Sequence, residues 1–163
     1  MKMPPTHDHH SREMTLAIKM ARRAFDKEEV PVGAVLVLED GSTISGHNQT
    51  RTWRDPTAHA EMVVIKKAIR KIKNERFVGT ALYVTLEPCA MCAGAIIQAR
   101  IPLVVFGASD PKAGACGSVL KVLPNKRLNH RPQVIGGVLG EECAGILKEF
   151  FRRKRKGRMG VSR

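Results

Sequence analysis

Residues 81–99 read Ala-Leu-Tyr-Val-Thr-Leu-Glu-Pro-Cys-Ala-Met-Cys-Ala-Gly-Ala-Ile-Ile-Gln-Ala. The first six are apolar on both faces, which predicts a buried strand. Pro88 then opens a helix over 89–99, because a helix's first turn does not need the N–H that proline lacks. Residues 103–106 follow as another buried strand. On the N-terminal side, 32–38 is a third apolar run, Val-Gly-Ala-Val-Leu-Val-Leu. Asp40-Gly41 is a hairpin signal, with 43–46 as the returning strand. Residues 48–57 are polar and contain Trp53 and Pro56, so they form a loop.

Helical spacing accounts for most of the rest. Residues 13–27 carry Met14, Ala17, Met20, Ala21, Ala24 and Phe25 at that spacing, with Ser11 as the expected N-cap. Residues 59–71 follow the same pattern, with Met62, Ile65, Ala68, Ile69 and Ile72 expected on the inner face. Residues 108–117 are small, polar and glycine-containing, hence a loop. A short last strand is expected at 134–138 and a terminal helix at 141–155. The order is helix, hairpin, helix, strand, helix, strand, strand, helix. That order predicts an α/β fold, a three-layer α/β/α sandwich over a mixed five-stranded sheet. We expect one domain over 1–163, with a flexible 1–12 and a basic tail at 156–163.

The charge is lopsided: 28 Lys and Arg against 15 Asp and Glu give +13. A polyanionic partner follows, nucleic acid before acidic membrane. Four cysteines in 163 residues are too few for a disulfide-stapled secreted scaffold. Residues 1–12 lack an apolar signal-peptide core, and no run is long enough to span a membrane. These features predict a cytoplasmic protein in a reducing compartment, where paired cysteines bind metal or do chemistry.

Two segments carry chemistry: Thr57-Ala58-His59-Ala60-Glu61 and Glu87-Pro88-Cys89-Ala90-Met91-Cys92. Each stands at the start of a predicted helix. Cys89 and Cys92 are i and i+3 on one helix face, so both sulfurs can reach one ion. His59 is the third ligand by type. Three protein ligands leave the fourth tetrahedral position open, the mark of a catalytic zinc rather than a structural one. Cys116, Cys143, His47 and His130 remain as alternative fourth ligands for a structural site, though none belongs to a second closely spaced pair. Helix N-termini favour thiolate and the conjugate base of a metal-activated water. Glu61, in the first helical turn, is positioned to move protons to and from that water. Either motif alone is weak. Together they match His-x-Glu followed by Pro-Cys-x-x-Cys, the pattern of zinc-dependent base deaminases.

On these residues the sequence resembles the cytidine deaminase superfamily, and within it the bacterial tRNA-specific adenosine deaminases. The likeness extends through Glu29-Val30-Pro31-Val32-Gly33-Ala34-Val35, Asp55-Pro56-Thr57-Ala58-His59-Ala60-Glu61, Leu82-Tyr83-Val84-Thr85-Leu86-Glu87-Pro88-Cys89, Met91-Cys92-Ala93-Gly94-Ala95 and Phe106-Gly107-Ala108. It implies a cytidine deaminase-like fold with His59, Cys89 and Cys92 on one zinc per subunit and Glu61 as proton shuttle. It also implies that Asn48, Val30 and the Ala60 backbone hold the target nucleoside. The implied reaction converts adenosine to inosine at the wobble position of an arginine tRNA, in a homodimer.

For the tRNA anticodon stem-loop we expect phosphate contacts from Arg152, Arg153, Lys154, Arg155 and Lys156, and contacts to the RNA from Asp110 and Asn129. Of Phe150 and Phe151, one is expected in the core and the other, Phe151, at the RNA. Two other readings stay open. One is a deaminase of the same fold acting on free guanine, cytosine or cytidine. The other is a non-catalytic zinc-containing RNA-binding module, which has no use for Glu61.

Overall fold

The computed structural model describes residues 5–159. Nine elements follow in order: α1 (His7–Asp26), β1 (Gly33–Val37), β2 (Thr43–His47), α2 (Ala60–Ile72), β3 (Ala81–Leu86), α3 (Ala90–Gln98), β4 (Leu103–Ala108), β5 (Gln133–Ile135) and α4 (Gly140–Met159). The strands form one sheet in the order β2-β1-β3-β4-β5. β1 pairs antiparallel with both β2 and β3. β3, β4 and β5 run parallel. The sheet is mixed, as expected.

Side-chain alternation divides the core into two layers. Ala34, Leu36, Leu82, Val84, Val104 and Phe106 pack with Val64, Ala68, Ala93 and Ile96 of α2 and α3. Val35, Tyr83 and Val105 face the other way, onto Met14, Ala17, Ala21 and Ile146 of α1 and α4. Strands buried on both faces read as continuous apolar runs, which is why 32–38 and 81–86 were legible.

Four local expectations need correction. α1 begins at His7, so residues 7–12 of the stretch expected to be flexible are helical; Thr6 caps the helix, its Oγ1 accepting from the His9 N–H. Ser11 is therefore helical, and its carbonyl accepts from Thr15 Oγ1. In α2 the buried apolar residues are Ala60, Val63, Val64, Ile65 and Ala68, so Ile65 and Ala68 lie inside as expected, while Ile69 is 52% exposed. With Ala60 as the first helical residue, 3.6-residue periodicity carries Ile69 off the buried face. β5 stops at Ile135, because Gly137 adopts φ +85° and turns the chain out of the sheet. α4 extends to Met159, so residues 156–159 of the expected tail continue the helix.

The topology gathers one end of the sheet. The C-terminal ends of β2, β3 and β4 lie beside the N-terminal end of β1, as the pairings Gly33 with His47 and Leu86 with Ala108 show. The Gly33 N–H donates to Thr85 Oγ1 across this end, at 3.1 Å. α2 and α3 both start here. Ligand sites of α/β sheets form beyond strand C-termini, where loops and helix N-termini converge.

Candidate active site

His59 is the N-cap residue of α2 and Cys89 is the N-cap residue of α3. Neither side chain caps its own helix. Both are left to point at a third group, Cys92, one turn into α3. His59 Nδ1 lies 3.6 Å from Cys89 Sγ and 3.6 Å from Cys92 Sγ. Tetrahedral zinc, with Zn–S about 2.3 Å and Zn–N about 2.0–2.1 Å, separates sulfur from nitrogen by about 3.6 Å. The spacing fits a zinc ion.

Among the described residues, His59, Cys89 and Cys92 are the group of His, Cys, Asp and Glu side chains arranged to hold a metal. The alternative fourth ligands are elsewhere. His47 Nδ1 bonds the Asn48 carbonyl at 2.8 Å, and His130 Nε2 bonds the Ile101 carbonyl at 2.7 Å. Cys143, on α4, is buried against Gly107. The half-buried Cys116 also stands outside the group.

The electrostatics suit a cation. A hydrogen bond from Cys92, then one from His59, lowers the Cys89 thiol to about 3. The same bond with Cys89, aided by burial, pushes Cys92 upward. The hydrogen bond with Cys89 raises His59 above its ordinary value. A divalent cation bound here would take the place of the proton that these groups share. Glu61 is 4% exposed, and its carboxyl meets the Cys92 sulfur. Burial raises its pKa above the usual carboxylate range, the direction that suits a carboxyl group for both taking and giving a proton near neutrality.

Of the expected substrate contacts, Asn48 and Val30 are adjacent: Asn48 Nδ2 donates to the Val30 carbonyl at 3.4 Å. Ala60 is fully buried between His59 and Glu61. Val30, Asp110, Phe151 and Arg153 line a single groove of about 1740 Å³, which reaches from Leu86 and Ala108 to the end of α4. Phe150 is 6% exposed and Phe151 45%, the division expected of them. Asn129 is exposed and does not line the groove.

Sequence reasoning missed two buried carboxylates. Glu29 is fully buried and accepts from the N–H groups of Arg51 and Thr52, each at 3.0 Å. Glu87 is 3% exposed and accepts from Asp110, Cys116 and Ser118. Burial opposes ionisation of both, but the donors outweigh it and hold each below the usual range. Glu29 orders the loop after β2, and Glu87 orders the loop after β4. The available signal was an acid abutting an apolar strand, in Glu29-Val30-Pro31-Val32 and Leu86-Glu87-Pro88.

Comparison with known proteins agrees with this geometry. The family model of MafB19-like deaminases matches residues 8–155. The tRNA-specific adenosine deaminase of Bacillus subtilis (strain 168) is 49% identical over 143 residues, covering 88% of this chain and 89% of that one. That of Agrobacterium fabrum is 47% identical, covering 87% and 93%. A solved structure from studies of A-to-I editing by tRNA:A34 deaminases at the wobble position of transfer RNA superposes with a TM-score of 0.80. It shares 47% identity over 84% of this chain and 99% of that one. Matched along nearly its whole length in both sequence and fold, the chain belongs to the MafB19-like deaminases and groups there with the tRNA-specific adenosine deaminases.

Proposed function

We propose that the protein is a zinc-dependent hydrolytic deaminase that converts adenosine to inosine at the wobble position of an arginine tRNA. The observation that carries this reading is the three-ligand group with Glu61 beside it: one imidazole and two thiols at zinc spacing, no fourth protein ligand among the described residues, and a buried carboxyl against the cluster. A structural zinc closes its shell with four protein ligands, and a non-catalytic module has no use for Glu61.

His59, Cys89 and Cys92 hold the zinc, one per subunit. When bound, zinc supplies Lewis-acid activation of water at neutral pH. Glu61 takes a proton from the attacking water and delivers protons to the ring nitrogen and the departing amine. The C6–N bond breaks, ammonia leaves, and the water oxygen becomes the C6 carbonyl of inosine. Asn48, whose amide is buried beside the Val30 carbonyl, and the Ala60 backbone orient the base.

The groove supports RNA over a free base. Small-molecule pockets are typically about 300–1,000 Å³; this groove, at about 1740 Å³, exceeds that and is rimmed by Lys112, Lys148, Arg153, Lys154 and Arg155. An anticodon loop offers unstacked bases without the cost of opening a duplex. The reading includes a homodimer, for which exposed Trp53, Val119, Leu120 and Leu128 offer apolar surface. It also places the protein in the cytoplasm, with its tRNA. Among the described residues no helix is long and apolar enough to cross a membrane.

Ammonia release separates the readings. Zinc-loaded protein is expected to act on arginine tRNA and to leave free guanine, cytosine and cytidine unchanged. Turnover of a free base with kcat/KM equal to that for tRNA contradicts the proposal.

A further inference from the structure

Glu87 is separated from the metal ligand Cys89 by a single residue, yet its carboxylate stands outside the metal group and accepts from the loop after β4. Four donors converge on it. The N–H groups of Asp110, Cys116 and Ser118 donate at 3.2, 3.0 and 3.2 Å, and the Ser118 hydroxyl donates as well. Backbone bonds reinforce the junction: Glu87 N–H to the Ala108 carbonyl and Ala115 N–H to the Pro88 carbonyl, both 2.8 Å. The loop closes so tightly around this carboxylate that a Cβ on Gly114 would collide with Glu87 Oε2 and the Asp110 carbonyl. Converging backbone amides form a concavity that suits an anion, and here an internal anion fills it.

The loop over 109–118 that Glu87 holds is one wall of the groove, through Ser109, Asp110, Pro111 and Lys112. Asp110 spends Oδ1 on the N–H groups of Lys112 and Ala113, which fixes its own side chain. The placement of Asp110 relative to Cys89 therefore depends on Glu87. With its acceptor sites taken by four donors, Glu87 has no role in proton transfer. We infer that Glu87 is a positioning residue, which fixes the groove wall carrying Asp110 against the turn carrying Cys89 and thereby sets the affinity for RNA. This inference rests on the tRNA reading above.

The test is a double-mutant cycle of Glu87→Gln and Asp110→Ala on an arginine tRNA anticodon stem-loop, with metal content measured for each protein. Glutamine keeps the shape but presents an amide donor to N–H groups, so the loop loses its anchor. We expect Glu87→Gln to raise KM about 10-fold with kcat within about 3-fold and metal retained, and Asp110→Ala to add less than about 2-fold in that background. An unchanged KM, fully multiplicative effects, or a loss confined to kcat with loss of metal overturns the inference. Ser118→Ala removes one donor and leaves the charge in place; it should raise KM in the same direction by a smaller factor, and it decides the matter if Glu87→Gln does not fold. Amide hydrogen exchange separates this inference from the substrate reading. Loss of protection at Asp110, Cys116 and Ser118, with α3 unchanged, is expected whatever the substrate; unchanged protection overturns the positioning role even if tRNA is deaminated.

Discussion

Salt dependence gives the proposed RNA groove a quantitative test. Six cations line it: Arg51, Lys112, Lys148, Arg153, Lys154 and Arg155. Each phosphate neutralised contributes a slope of about −0.7 to −0.9 to log affinity against log salt, so six contacts give about −4 to −5. Between 50 and 200 mM salt, affinity then falls roughly 300- to 2,000-fold. Arg153 is a poor probe, because Glu149 already holds it at 2.9 Å and also holds Arg152 at 2.7 Å. Lys154 and Arg155 are better ones. The pair Lys154→Gln and Arg155→Gln should make the slope shallower by about 1.4–1.8 and shrink the fall over the same range to roughly 50- to 150-fold. Fluorescence anisotropy of a labelled anticodon stem-loop, titrated at four salt concentrations, reads both numbers. A slope shallower than about −2 for the unaltered protein, or one that the double substitution leaves in place, refutes the groove as the phosphate path.

Further predictions concern the metal and the fold. Cys92→Ala leaves two ligands, so metal per chain, read by elemental analysis, should fall well below one; retention of a full equivalent would contradict the three-ligand assignment. His10 is 7% exposed with Nδ1 2.9 Å from the Tyr83 hydroxyl oxygen, and burial, then the charges on His9 and His7, lowers its pKa. Because the folded-state value is the lower one, the unfolded chain takes the proton first. The stability from neutral His10 is present above about pH 6.5 and lost as pH falls through the folded value. Urea titrations should show His10→Gln reducing that acid-side slope by up to about 1.4 kcal/mol per pH unit, with the contribution of His47, shifted the same way, remaining. Identical slopes would count against the assignment. Leu36→Ala, at a fully buried site on β1, should cost about 2–5 kcal/mol in the same assay.

The parts legible in the sequence were those set by local pattern. Apolar runs at 32–38 and 81–86 marked strands buried on both faces, and Pro88 marked the start of a helix. The metal group was legible because Cys89 and Cys92 sit one turn apart and His59 opens a helix, so backbone geometry alone aims all three. Glu87 and Glu29 were not legible as organisers, because their partners are backbone amides 23 to 31 and 22 to 23 residues away, and amides carry no sequence signal. The face of α2 was misjudged at Ile69 because apolar residues occupy more than one side of that helix, and only packing against the sheet selects one. Asn129, expected as an RNA contact, lies outside the groove, as do Asn48 and Ala60.

The most direct test is conversion of the wobble base itself. Zinc-loaded protein is incubated with an arginine tRNA transcript bearing A at the wobble position, and the cDNA is sequenced. The account predicts an A-to-G readout at that position alone, abolished in a Glu61→Ala variant that keeps its fold and its metal. No conversion by folded, metal-bound protein, or equal conversion by Glu61→Ala, would contradict it.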